Sequence, residues 1–268
     1  MRRIVIAFFT LLALVSSVNA KEISTYLVGD YLDASSAKVK LANAGFEVIA
    51  EYKSVKDGLT LVFTNEALKT QASKPKRAHA AVLRLFIDEK EQMISFTNPI
   101  YFGKAFMQDD YNAKVYESAK ASIEGEFSGL KGSVDKLEED DIAGYHFMMG
   151  MPYYEDVDEL GEDTTTQLLK KVQTYKKGKF VLFTLKLNDN SYLVGYDLSK
   201  RTKKFVKKIG RANAAVLPYM ISIENGLASS LEAKYYLAVS YPLLTMTEFT
   251  TIATVPGAIK KDLSKPFK

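Results

Sequence analysis

Two periodicities alternate along this chain. Thr25 to Tyr31, Phe46 to Tyr52 and Leu59 to Thr64 are rich in β-branched and aromatic residues and read as strands. Between the first two, Asp33 is placed to cap a helix running to Ala44, whose Ala37, Leu41 and Ala44 recur at helical spacing. A short helix over Glu66 to Gln71 follows, then a hairpin of Ala81 to Ile87 and Met93 to Thr97 joined by DEKEQ. A second series predicts a strand at Tyr145 to Tyr154, a helix at Thr164 to Tyr175, strands at Phe180 to Leu187 and Tyr192 to Asp197, and a helix at Lys200 to Ile209. It closes with strands at Ala214 to Ile223 and Leu227 to Val239, joined by Glu224-Asn225-Gly226.

The two series share a heptapeptide, RAHAAVL at 77–83 and RANAAVL at 211–217. Their flanks agree in element order, so the expectation is a duplicated unit rather than a solenoid. The predicted fold class is α+β: two tandem two-layer sandwich domains in strand-helix-strand-strand-helix-hairpin order, paired as a pseudo-dimer. A long helix from Asp109 to Gly129 and an acidic stretch, 132–144, separate them. The expected boundaries are 21–131 for the first domain, 132–144 for a linker and 145–268 for the second domain.

Arg2 and Arg3, the apolar run Ile4 to Val15 and the small residues ending at Ala20 have the form of a cleavable signal peptide, 1–20. The expectation is a periplasmic or secreted protein with no transmembrane segment once the leader is removed. Removing Arg2 and Arg3 leaves 34 basic against 32 acidic residues, so bulk charge selects no partner. The absence of cysteine excludes disulfides, thiol nucleophiles and thiolate metal sites.

The order of elements, Gly45-Phe46 and the Asn98-Pro99 pair after the hairpin resemble the bacterial family called domain of unknown function 302. The resemblance spans Thr25 to Phe106 closely and Tyr145 to Leu244 more loosely. It implies a small two-layer α+β domain that tends to pair, and it implies no activity. Thr97 stands where the family has a glycine, and the second series matches the Asn-Pro pair only with Tyr241-Pro242.

The densest candidate surface is TNPIYFGKAFMQDDY, 97–111, where Asn98, Tyr101, Phe102, Lys104 and Asp110 combine aromatic area with polar groups suited to a ligand-pocket rim. Gly103 suggests unusual backbone angles there. The competing reading is that the aromatics anchor the following helix, with Asp109 or Asp110 as its cap. No serine lies in a Gly-x-Ser-x-Gly elbow, and neither HExxH nor a phosphate-cradling glycine loop is present. The expectation is therefore a non-catalytic binding protein, its ligand or envelope-protein partner unspecified. The alternative is a small-molecule hydrolase or isomerase using Asp109 or Asp110 with Tyr101. His146 with Met148, Met149 and Met151 raises copper or haem binding; the stronger reading makes these methionines strand packing, and no cofactor is expected. The basic run Lys200 to Arg211 reads as a solvated helix with Phe205 and Ile209 inward, since export argues against nucleic acid.

Overall fold

The computed structural model describes residues 21–268; the leader assigned to 1–20 lies outside them. The first half opens with β1 (Glu22–Ser24), β2 (Tyr26–Asp30), α1 (Ala34–Asn43), β3 (Glu47–Val55) and β4 (Gly58–Thr64). It continues with α2 (Glu66–Ala72), a 3-10 turn at Ala78–Ala81, β5 (Leu83–Asp88), β6 (Met93–Thr97), α3 (Pro99–Met107) and α4 (Ala113–Glu126). Two short strands, β7 (Lys131–Gly132) and β8 (Lys136–Glu138), follow. The second half contains β9 (Val157–Glu162), α5 (Thr165–Thr174), β10 (Val181–Asn188), β11 (Ser191–Tyr196), α6 (Val206–Ile209), β12 (Tyr219–Glu224), β13 (Leu227–Leu231) and α7 (Ala233–Ser240). It ends with α8 (Met246–Thr251) and α9 (Val255–Ser264).

Local chemistry explains most starts. The Asp33 carboxylate accepts from the Ser35 and Ser36 amides, Asn65 from Leu68, and Thr164 from Gln167, each satisfying a helix N–H that has no intrahelical partner. Thr245 and Glu248 form a reciprocal capping box on α8. Glycine at positive φ, Gly45 after α1 and Gly226 in the β12–β13 turn, reverses the chain where other residues would be strained.

Both halves are sheets covered by helices, and they repeat one antiparallel strand order. The first sheet runs β3-β4-β5-β6-β2-β7 and the second β10-β11-β12-β13-β9. The heptapeptides form the 3-10 turns that cross between them: Ala78–Ala81 packs against β11 and β12, and Arg211–Val216 against β3 to β6. One buried apolar core runs through both halves, including Phe63, Phe96, Tyr101, Ile221 and Tyr235. Each such side chain contributes about 1.5–3 kcal/mol on leaving water.

Several expected elements are placed differently. Tyr145 to Tyr154 is irregular, broken by Gly150 at φ +82 and by Pro152, and the first strand of the second half is β9. Met148 and Met149 are exposed rather than packed in a strand. The sequence 233–240 is helix α7, because Glu232 accepts from the Lys234 and Tyr235 amides and caps it. Glu232-Ala233, rather than Tyr241-Pro242, therefore occupies the place of Asn98-Pro99. The long helix expected at 109–129 is broken at Tyr111–Asn112, and α3 precedes it within the stretch expected to form a pocket rim. The acidic 132–144 stretch is tied to the first half: β7 pairs with β2, β8 pairs with β1, and Glu139 bridges Lys21 and Lys104.

Candidate functional site

The residues read as a pocket rim do not converge on one cavity. Asn98 caps α3 through the Ile100 amide and donates to the Ser24 carbonyl. The buried Tyr101 hydroxyl donates to the Val239 carbonyl in the other half at 2.8 Å. Phe102 stacks edge-on against Tyr101 and near Phe106 in the interior. Lys104 pairs with Glu139 and lies over the Tyr111 ring. Asp110 is held below the usual carboxylate range, first by Arg77 and then by Lys74, while Asp109 is exposed. Asp110 and Tyr101 thus serve different partners. Gly103 is helical, and its lack of a side chain admits the Tyr116 ring, which a Cβ would meet at 2.5 Å.

His146 sits in the irregular loop with its ring 4.4 Å from that of Tyr153. Among the described residues no group of three or more His, Cys, Asp or Glu side chains is arranged to hold a metal ion. The basic run is partly committed internally: Lys203 pairs with Asp197, Lys208 donates to the Thr251 carbonyl, and Arg211 forks onto the fully buried Asp88 at 2.8 Å.

A cavity of about 480 Å³ lies where the first half's heptapeptide turn meets the second sheet. Its floor is one face of three paired strands, because register places Ser222 opposite Ser229 and Ser229 opposite Glu159, with Glu224 opposite Leu227 and Leu231 opposite Val157. Residues at every second strand position share a face. The opposite face, with Ala228, Ile221 and Ile223, is buried beneath α5. The other wall is Pro75, Lys76, Ala78 and His79 from the first half, and Tyr154 and Glu155 close one end. The Tyr154 hydroxyl holds the walls together by donating to the Lys76 carbonyl at 2.6 Å.

His79 is 4% exposed, and neither ring nitrogen has a hydrogen-bond partner among the described residues. Burial first, and the Arg84 charge second, push its pKa down to about 3, so the imidazole is neutral at physiological pH. Arg84 is itself buried: Nη2 donates to the Pro218 carbonyl at 3.1 Å, and Nε has no partner among the described residues. A buried polar group without a partner carries a desolvation cost of about 1–3 kcal/mol, which makes this wall an unusual place in the interior. The sequence singled out neither His79 nor Glu224 as a site residue. The available signal was the one difference inside the repeated heptapeptide, where His79 stands opposite Asn213.

No family model, curated protein or solved structure matches this chain. Among the described residues, no helix is long and apolar enough to cross a membrane.

Proposed function

We propose that this is an exported, non-catalytic binding protein built from two diverged copies of one α+β domain, fused so that each serves as the other's permanent partner. The observation that carries the reading is the cavity beside His79: it is lined by both halves, mixes apolar residues such as Leu227, Leu231 and Ala78 with polar ones such as Ser222, Glu224 and Glu159, and has a volume suited to a small molecule. The leader-like 1–20 segment supports export, and the common strand order of the two sheets supports duplication. Fusion of a pairing domain lets one half keep a binding surface while the other diverges. The resemblance to domain of unknown function 302 is consistent with such pairing.

Native mass spectrometry of the protein purified from the periplasm tests this reading. The expected result is a chain beginning at Lys21 that carries additional mass lost on denaturation, and a Leu227→Trp variant that obstructs the cavity and carries none. A bare wild-type mass together with cytoplasmic retention of the uncleaved chain would overturn it.

A further inference from the structure

Resting on that binding reading, we infer that the cavity takes a small organic cation, an alkylguanidinium or alkylammonium, held by Glu224 and Glu159. The argument comes from comparing matched positions in the two sheets. In the first sheet, register aligns Phe86, Ser95 and Val28 across β5, β6 and β2. In the second, the same three places across β12, β13 and β9 hold Ser222, Ser229 and Glu159. At this place in the first sheet the Phe86 side chain is 1% exposed and its ring lies against Gly58. By cross-strand register the second half has a serine at this place, although along the chain Phe86 is matched by Met220, two residues earlier, and it has Glu159 where the first half has Val28, so the place holds a small side chain and a carboxylate.

The neighbouring matched pair defines the charge. Asp88 opposite Met93 and Glu224 opposite Leu227 are the last pairs before the turns of the two hairpins, at the same place in each sheet although two residues apart in the chain repeat. Asp88 receives the guanidinium of Arg211, the first residue of the second heptapeptide. The matching residue of the first heptapeptide is Arg77, and it is diverted: its guanidinium binds Asp110 at 3.0 Å and Glu155 at 2.9 Å. Glu224 accepts only the Lys76 backbone N–H, at 3.0 and 3.2 Å, through its two oxygens. Among the described residues, neither Glu224 nor Glu159 has an ion-pair partner, whereas Glu155 is matched by Arg77 and Lys76. The second half therefore holds a cavity and an acidic group in the place where the first half holds an arginine. His79, unpartnered among the described residues, adds a neutral ring that does not compete for the carboxylates, and Leu227, Leu231 and Val157 offer an apolar surface for an alkyl chain.

The test is an amide-resolved NMR titration of residues 21–268 with n-butylguanidinium, n-butylammonium, pentanoate and pentanol. Expected are saturable shifts at Lys76, Glu159, Glu224 and Ser229 with the two cations, and none with pentanoate. Glu159→Gln combined with Glu224→Gln weakens cation binding roughly tenfold. Ser222→Phe, which places the first sheet's large side chain at this position and leaves both carboxylates in place, abolishes it; the spectrum of each variant reports independently that it is folded. Saturable shifts from pentanoate or pentanol as strong as those from the cations would retain the cavity as a ligand site and overturn the cation assignment. Absence of cation shifts at those amides, or a double glutamine variant that binds as tightly as wild type, would also overturn it, and a retained non-cationic mass in the native spectrum would show that the broader binding reading survives.

Discussion

Tyr101 donates its hydroxyl to the Val239 carbonyl, and Tyr235 donates its hydroxyl to the Ala105 carbonyl, at 2.8 and 3.2 Å. Each tyrosine, and each accepting residue, stands 134 positions from its counterpart, so the two bonds run reciprocally between the halves. Such reciprocity matches the proposed origin of the two halves as paired copies, in which a contact and its mirror occur together.

Loss of the Tyr101 bond leaves the buried Val239 carbonyl without this donor, whereas loss of the Tyr235 bond leaves the Ala105 carbonyl with the Gln108 side-chain amide alone. Tyr101→Phe should cost about 1–2 kcal/mol, and Tyr235→Phe less, about 0.5–1 kcal/mol, because Gln108 still serves the Ala105 carbonyl. Because both bonds span the halves, urea unfolding should remain a single transition with an unchanged slope, its midpoint shifted to lower denaturant. Separate transitions for the two halves would show that the interface does not couple them.

Acid stability should depend on His79. The unfolded chain protonates this side chain below about pH 6.5, whereas the folded protein resists until about pH 3. The unfolded state therefore binds more protons in that window, and stability falls as pH drops through it, by about 1.4 kcal/mol per unit for this group. His79→Asn, which installs the residue found in the second heptapeptide, should flatten the slope between pH 6 and 4. Equilibrium denaturation at several pH values measures it directly.

Arg84 lies on the contact between halves with, among the described residues, a single acceptor for its side chain and no carboxylate partner, its guanidinium 5.9 Å from the Tyr236 ring centre. Burying such a charge is costly, and an apolar side chain of similar length removes that cost. Arg84→Met should leave stability unchanged or raise it by up to about 2 kcal/mol, measured by urea denaturation. A loss above about 2 kcal/mol would indicate that the guanidinium has a compensating partner.

Gly103 should tolerate no side chain. A Cβ there would meet Tyr116 at 2.5 Å, and the ring is 1% exposed with little room to move. Gly103→Ala should destabilise by about 1–3 kcal/mol despite alanine's better helix propensity, because overpacking outweighs it. Thermal denaturation followed by circular dichroism would register the loss.

Much of the fold was legible in local chemistry. The Asp33 cap, the Leu59 to Thr64 strand and the repeated heptapeptide express short-range periodicity and capping, which depend on neighbours a few residues apart. The same local reasoning misplaced α7, because an apolar run such as Tyr235 to Val239 suits a buried helix or a buried strand equally well. It also misread 145–154, where hydrophobic residues line an irregular loop.

By itself, the sequence determined the α+β class, the repeated heptapeptide and the absence of thiol chemistry, because composition and period are properties of the chain. Only the tertiary structure decided that Tyr101 and Phe102 serve the interior, and that His79 and Glu224 face one cavity although they lie far apart in the chain. Strand register and the crossing of the two heptapeptide turns bring those residues together. Neither is written in the spacing of residues along one strand, since each depends on which surfaces two folded halves present to one another.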